Sequence, residues 1–262
     1  FTHELEKQVA ERTQELEQNY IDLAKMNKEL QSFAYISSHD LQEPLRKIQT
    51  FATQIMEREF ERLSDHGKEK FRKMQNSAQR MQTLINDLLT FSRTNIQERK
   101  FEMASISSIM DEVKEDLGEI LDQKQARIHI QEAGDLNIIP FQFRQLLYNL
   151  LSNSLKFSQP GLPPVISIIS EIRPANNLPE ERLAKDTDYY HISITDNGIG
   201  FDQQYNEKIF EVFQRLHGRS EYSGTGIGLA IVKKIVENHH GFITAQGEVN
   251  KGARFDIYIP VM

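Results

Sequence analysis

Four clusters of residues in this 262-residue sequence have types and spacings that could do chemistry. The first is His39, followed at once by Asp40 and then by Glu43 and Pro44. A carboxylate beside an imidazole can hold one ring nitrogen as a donor, which leaves the lone pair of the other free to attack an electrophile. The second is Asn149, Asn153 and Lys156, whose spacings of four and three place them on one face of a helix. Amide oxygens ligate Mg²⁺ without over-neutralising it, and an ammonium pairs with phosphate oxygens. The third is Asp196-Asn197-Gly198-Ile199-Gly200-Phe201. An acidic side chain ending a buried strand can accept from an exocyclic amine such as that of adenine, while glycines let backbone approach a flat ring. The fourth, Gly224-Thr225-Gly226-Ile227-Gly228-Leu229, opens a helical pattern whose first amides favour anionic phosphate.

Taken singly, each cluster also has a plain structural reading. An exposed His and an Asn/Lys stripe both suit a solvated helix face, and Asn197-Gly198 suits a hairpin turn. The fourth cluster fails two known phosphate-loop patterns: no Lys-Ser or Lys-Thr follows the glycines, and no strand stands directly before them. Protein-kinase signatures are missing too, so the cluster points to some other nucleotide fold.

The elements that must carry these residues are legible from periodicity. Leu5, Val9, Arg12, Leu16, Asn19, Leu23, Met26, Leu30 and Phe33 alternate steps of four and three, a heptad seam that predicts a parallel coiled coil. A single amphipathic helix lying on another domain is the alternative. Polar Arg12 and Asn19 cost stability and can fix register. The pattern continues through Ala34, Leu41, Leu45, Ile48, Ala52 and Ile55, with His39 ~160° from that stripe, facing solvent. Pro44 removes a backbone donor in mid-helix, which predicts a kink or loosening beside His39. The pattern breaks at Leu63-Ser64-Asp65-His66-Gly67 and resumes from Phe71 to Ser92. Two long helices joined by a short turn predict a hairpin that dimerises into a four-helix bundle.

Past Gln97 the texture changes to alternating strand and helix signals, the mark of a second, mixed α/β domain. The spacing predicts helices over 105–123, 140–157 and 226–239, a short helix at 206–210, and strands over 127–131, 165–173, 190–196, 242–248 and 253–259. The expected divisions are a coiled-coil linker at 1–33, a hairpin domain at 34–97 and an α/β domain at 98–262.

A net charge of -7 argues against a nucleic-acid-binding surface, and the absence of cysteine removes disulfides, thiolate zinc sites and cysteine nucleophiles. No apolar run reaches the length of a membrane span. A start at Phe1, inside a helical pattern, is expected of a cytoplasmic segment excised from a longer chain whose upstream sensor is missing and which could itself be membrane-anchored. The segment itself is expected to make no membrane contact.

In order and approximate spacing, the four clusters resemble the H, N, G1 and G2 boxes of two-component sensor histidine kinases, and residues 208–215 are similar to the F box. The resemblance covers nearly the whole chain, and Ser38-His39-Asp40-Leu41-Gln42-Glu43-Pro44-Leu45-Arg46 is most similar to the bacterial phytochrome-like subgroup. It implies a dimeric histidine-containing hairpin followed by a Bergerat-type α/β sandwich. ATP and Mg²⁺ are the implied cofactors, and a response regulator receiver domain is the implied partner of the homodimer. His39 would accept the γ-phosphoryl group, with Asp40 as orienting base. Asn153 with Asn149 would ligate Mg²⁺, Lys156 would touch phosphate, and Asp196 would read adenine. Phe157, Gly198, Gly200, Gly224, Thr225, Gly226, Gly228 and Leu229 would shape the pocket, and a lid over 211–223 would bring Arg215, His217 and Arg219 towards the phosphates. Where many relatives carry Thr or Asn four residues after the histidine, this chain has Glu43, a departure that argues against receiver dephosphorylation. Asp40 stands where many relatives have Glu, a shorter reach. Two rivals stay open at this point: a clamp-forming ATPase of the same fold, and a non-enzymatic dimeric scaffold.

Overall fold

The computed structural model describes residues 2–93, 100–131, 134–174, 176, 187–216 and 224–261; within 2–39 it describes the side chains of 8, 12–22, 25, 26 and 38. The chain divides into two compact units, residues 1–92 and 93–262.

The first unit is a helical hairpin. Helix α1 (Thr2–Arg58) runs 57 residues and contains no glycine, so nothing but Pro44 interrupts its propensity, and the helix continues through that proline. A single 3-10 turn (Phe60–Arg62) reverses the chain into α2 (Asp65–Arg93). The expected turn at 63–67 is shorter than its composition suggests. Ser64 caps α2 by accepting from Gly67 N–H at 3.1 Å, so Asp65, His66 and Gly67 already lie in the helix. Residues that form turns also start helices, and here the capping bond decides between the two.

Antiparallel register is set by three side-chain hydrogen bonds across the hairpin. Gln42 donates to Asn86 at 3.0 Å, Gln49 to Gln79 at 3.3 Å and Gln75 to Thr53 at 3.2 Å. Each pair lies equally far from Ser64 along the chain, so the two helices run side by side without slippage. Leu45, Ala78 and Ile85 form the buried seam, with Leu89 packed against it, and Ala52 is buried as well. Leu41 and Ile48, expected in the same stripe, are exposed in a single chain.

In the second unit a five-stranded sheet has the order β2-β4-β5-β7-β6. Its strands are β2 (Arg127–Gln131), β4 (Val165–Pro174), β5 (Asp188–Asp196), β6 (Phe242–Glu248) and β7 (Gly252–Pro260). The β2 and β4 pair is parallel and the others are antiparallel. Helices α3 (Ile106–Lys124), α4 (Pro140–Lys156) and α5 (Gly228–Asn238) supply the apolar faces of the core. Phe143, Leu146, Leu147, Leu150 and Leu151 of α4 are wholly buried with Ile166, Ile168 and Ile192 of the sheet. Ser105 caps α3, and Pro140 occupies the first turn of α4, where its missing N–H costs nothing.

Two strands went unread in the sequence: β1 (Glu102–Ala104) and β3 (Leu136–Ile138), an antiparallel pair of three residues each. Three residues are too few to display a period of two. The expected helix at 206–210 resolves into two 3-10 turns, Gln203–Tyr205 and Lys208–Phe210, and α5 begins at Gly228, after Gly226 at φ 77°. Among the described residues no helix is long and apolar enough to cross a membrane.

Candidate nucleotide site

Strand β5 ends on Asp196, which the fold turns inward. One carboxylate oxygen accepts from Gly198 N–H at 2.8 Å and from Ala253 N–H at 3.3 Å. The other accepts from the Ser154 hydroxyl at 3.0 Å, a residue of α4. Burial pushes the Asp196 carboxyl above its ordinary range, and these three hydrogen bonds pull it part of the way back. The result is a recessed acceptor with a fixed orientation, the kind of group that can receive an exocyclic amine.

The loop after Asp196 is fixed by close backbone approach. Gly200 has φ 61°, and a Cβ there would overlap the carbonyl of Glu248, so only glycine lets this loop lie against the β6–β7 turn. Asn250 N–H donates to the Ile199 carbonyl at 2.7 Å across the same contact.

The last turn of α4 joins this loop to the glycine-rich segment before α5. Lys156 is half-buried, with its ammonium 4.4 Å from the centre of the Phe157 ring, and a Cβ on Gly224 would fall onto that ammonium. Burial lowers the Lys156 pKa, and the nearby Arg215 charge lowers it further. Arg215 donates to the Gly224 carbonyl at 2.9 Å. Two cations held next to one glycine loop form a place where phosphate oxygens would relieve repulsion.

Asn149 is buried and committed on both sides of its amide: it donates to the Gly228 carbonyl at 3.2 Å and accepts from Gln145 at 3.1 Å. Asn153, one turn on, is half-buried, and its side-chain amide makes no hydrogen bond among the described residues. That free oxygen, in a neutral amide, fits a hard cation such as Mg²⁺. Gly226 accepts from Phe213 N–H at 2.9 Å, the Thr225 hydroxyl accepts from Ile227 N–H at 3.4 Å, and Leu229 is half-buried in α5. The described part of the expected lid, 211–216, thus meets the glycine segment at Phe213 and Arg215. His217, Arg219 and the rest of 217–223 lie outside the described residues.

Phe157, Asn149, Asn153, Lys156, Asp196, Gly198, Gly200, Arg215 and the glycines of 224–228 therefore gather in the second unit. His39 and Asp40 lie on α1 in the first. The orientation expected for the His39 side chain falls outside the described residues; Asp40 is exposed. Glu43 pairs with Lys47 at 2.9 Å. Sequence reasoning missed Ser154 and Gln159. Ser154 is a small polar residue on a buried helix face, and its partner lies 42 positions away. Gln159 sits in a loop with no periodic signal at all.

Residues 139–262 match the family described as histidine kinase-, DNA gyrase B-, and HSP90-like ATPase, and residues 29–95 match the His Kinase A (phospho-acceptor) domain. A phospho-acceptor helical domain followed by an ATPase domain of this fold defines the class. The chain belongs to the histidine kinases, and its curated relatives include phytochrome-type members. It is 36% identical over 253 residues to Cyanobacterial phytochrome A of Nostoc sp., covering 97% of this chain and 31% of that protein. It is 32% identical over 253 residues to Phytochrome-like protein Cph1 of Synechocystis sp., covering 97% of this chain and 32% of that protein. The chain thus spans about a third of the length of these relatives. Among solved structures, full-length ShkA in complex with AMPPNP superposes with a TM-score of 0.63 at 22% identity, over 87% of this chain and 45% of that one. Histidine kinase AdeS of Acinetobacter baumannii gives 0.56 at 18% identity, over 85% of this chain and 98% of that one. These likenesses establish the fold.

Proposed function

We propose that this chain is the catalytic core of a sensor histidine kinase: a homodimer that binds ATP in its second unit and transfers the γ-phosphoryl group to Nε2 of His39. The observation that carries this reading is the last turn of α4. Ser154 touches Asp196, and two residues later Lys156 lies against Gly224, so one turn of helix connects an amine acceptor to a cationic phosphate cradle. ATP has both ends to match. Asp196 would take the adenine amine, with Gly198, Gly200 and Phe157 along the base, while Lys156, Arg215, Gly224, Thr225, Gly226, Gly228 and Leu229 surround the phosphates.

In the reaction His39, held with its proton on Nδ1 by Asp40, attacks the γ-phosphorus with the Nε2 lone pair. A P–N bond forms, the bond to the bridging oxygen of the β-phosphate breaks, and ADP leaves with that electron pair. Positioning supplies most of the rate in such a transfer. Asn153 and Asn149 would hold Mg²⁺ through their side-chain oxygens, that of Asn149 on release of its Gln145 bond, and the ion would neutralise charge on the phosphates. The phosphohistidine then passes its group to an aspartate of a response regulator receiver domain.

Homodimerisation is supported by the apolar side chains that the hairpin leaves exposed, Leu41, Ile48, Met74 and Met81 among them. Residues 1–33 would form a parallel coiled coil, in which Arg12 and Asn19 fix register and Leu16 and Met26, exposed in one chain, meet a second copy. This linker would pass a signal into the 34–97 hairpin near Pro44, and residues 98–262 would hold the nucleotide. A cytoplasmic setting follows from the need for ATP. The net charge of -7 favours neither nucleic acid nor an anionic membrane surface as a partner.

Incubation with γ-labelled ATP and Mg²⁺ tests the proposal. Acid-labile, base-stable label on the native chain, absent from His39→Gln, is the expected result. Hydrolysis with no label on His39 would point to a clamp-type ATPase, and no nucleotide binding at all would leave a scaffold.

A further inference from the structure

The amide nitrogen of Gln159 lies 3.0 Å from the Asn197 carbonyl, 2.9 Å from that of Gly198 and 2.9 Å from that of Asn250. Three carbonyl oxygens around one nitrogen fix which end of the side chain faces them, because only the NH₂ can donate. The three belong to two different segments. Asn197 and Gly198 follow Asp196, whereas Asn250 is in the β6–β7 turn, so Gln159 clasps the adenine-side loop to that turn.

The consequence for Asp196 follows from peptide planarity. In a trans peptide the carbonyl of residue 197 and the N–H of residue 198 point in opposite directions from one plane. The Asn197 carbonyl accepts from Gln159, and the opposite end of the same unit, Gly198 N–H, donates to Asp196 at 2.8 Å. Rotating this unit would break both bonds together, and the glycine on its C-terminal side makes such a rotation sterically cheap. The rest of the loop is anchored elsewhere: the Asn197 side chain accepts from Val165 N–H at 2.9 Å and donates to the Pro163 carbonyl at 3.1 Å. On the far side, Ile199 N–H donates to the Phe157 carbonyl at 2.8 Å. These anchors hold the residues on either side, while the Asn197 carbonyl itself is held by Gln159.

We infer that Gln159 is a positioning residue that sets the Asn197–Gly198 peptide plane, and thereby aims the Asp196 carboxylate at the nucleotide base. The inference rests on the adenine reading given above. It makes Gln159 a determinant of base selectivity and affinity that acts through Asp196.

The test compares ATP with 6-chloropurine riboside triphosphate, which lacks the exocyclic amine, using the full chain with Gln159→Met and the equally shaped Gln159→Glu. The dissociation constant of each nucleotide, KM and kcat for labelling of His39, and the melting temperature are measured together. The unaltered chain should prefer ATP by about tenfold or more, as a hydrogen bond to a charged group would give. In both variants that preference should shrink to about twofold, with a raised KM for ATP and kcat at saturation within about twofold of the parent. Equal weakening of both nucleotides, or an undiminished preference for ATP beside a lower melting temperature, would show Gln159 to be a structural latch only and overturn the inference. An unaltered chain that binds the two nucleotides equally would instead sink the adenine reading, and the inference with it. Should Gln159→Met fail to fold, Gln159→Glu, which keeps the shape and loses the donor, decides alone.

Discussion

Burial disfavours a charge on Asp196, the group proposed above to accept from the adenine amine. Burial raises its pKa, so the folded chain holds that proton more tightly than the unfolded chain does. Stability of the nucleotide-free protein from this group therefore grows as pH falls through the raised native value, and is complete below the ordinary aspartate value of 3.8. The proposed adenine contact would run the opposite way, since the protonated acid loses acceptor capacity. ATP affinity should thus decline on acidification through the native pKa. Ser154→Ala, which removes a bond that lowers that pKa, should move the inflection to higher pH. Asp196→Asn should weaken ATP about ten- to a hundredfold, the equivalent of ~1.5–3 kcal/mol for a charged hydrogen bond, without lowering the melting temperature. A carboxamide oxygen still accepts from Gly198 and Ala253, so a lower melting temperature would contradict this account. The candidate residue itself was legible in the sequence, as an acid ending a strand before Gly-x-Gly. Its partner Ser154 was not, because spacing along a chain carries no information about which helix face a distant strand end will meet.

At the scale of elements, the wholly buried His239 shows how the site is held in place. Its Nε2 accepts from Ile139 N–H at 2.9 Å, and its Nδ1 bonds the Ile235 carbonyl at 2.7 Å, so the proton sits on Nδ1. Phe101 and Phe143 pack their rings edge-on against it. The end of α5 is thereby fastened to the start of α4, the helix that carries Asn149, Asn153, Ser154 and Lys156. His239→Leu would strand a buried N–H and should cost ~1–3 kcal/mol. Denaturant unfolding should report that loss, with the labelling of His39 at saturating ATP little changed below the transition. An unaltered unfolding midpoint would show that the N–H finds another partner. The long helices and the five strands of the main sheet could be read from their periods, since each has enough residues to repeat a pattern. The two strands of three residues could not, and neither could the 3-10 turns, whose register depends on local capping bonds.

For the whole molecule, the telling surface is the second apolar seam of the hairpin. With pairing centred on Ser64, Leu41 and Leu84, then Ile48 and Met81, then Phe51 and Met74 follow one another along the helix pair, all exposed in a single chain. A second copy related by a two-fold axis would bury each of them twice. At ~1.5–3 kcal/mol per large apolar side chain, Ile48→Glu with Met81→Glu should raise the dimer dissociation constant by at least about a hundredfold. Sedimentation should then show monomers whose helical content is retained; a double variant that stays dimeric would place the interface elsewhere.

The sequence alone determined the kinds of element, the division into a helical and an α/β part, and the candidate side chains for the proposed nucleotide and phosphoryl chemistry. These properties are local: periodicity, capping and functional-group chemistry are all written within a few residues. Tertiary structure decided which of these groups share a site. It split the expected apolar stripe into a seam inside the hairpin and one outside it, since antiparallel packing buries only the positions that face the partner helix. It also chose Ser154, Ala253 and Gln159 as the partners of the Asp196 loop, through contacts spanning 42, 57 and 38 to 39 residues, and tied Gln159 to Asn250 of the β6–β7 turn across 91. Those contacts depend on how α4, β5 and the β6–β7 turn stack, and that stacking is settled by the packing of the whole core.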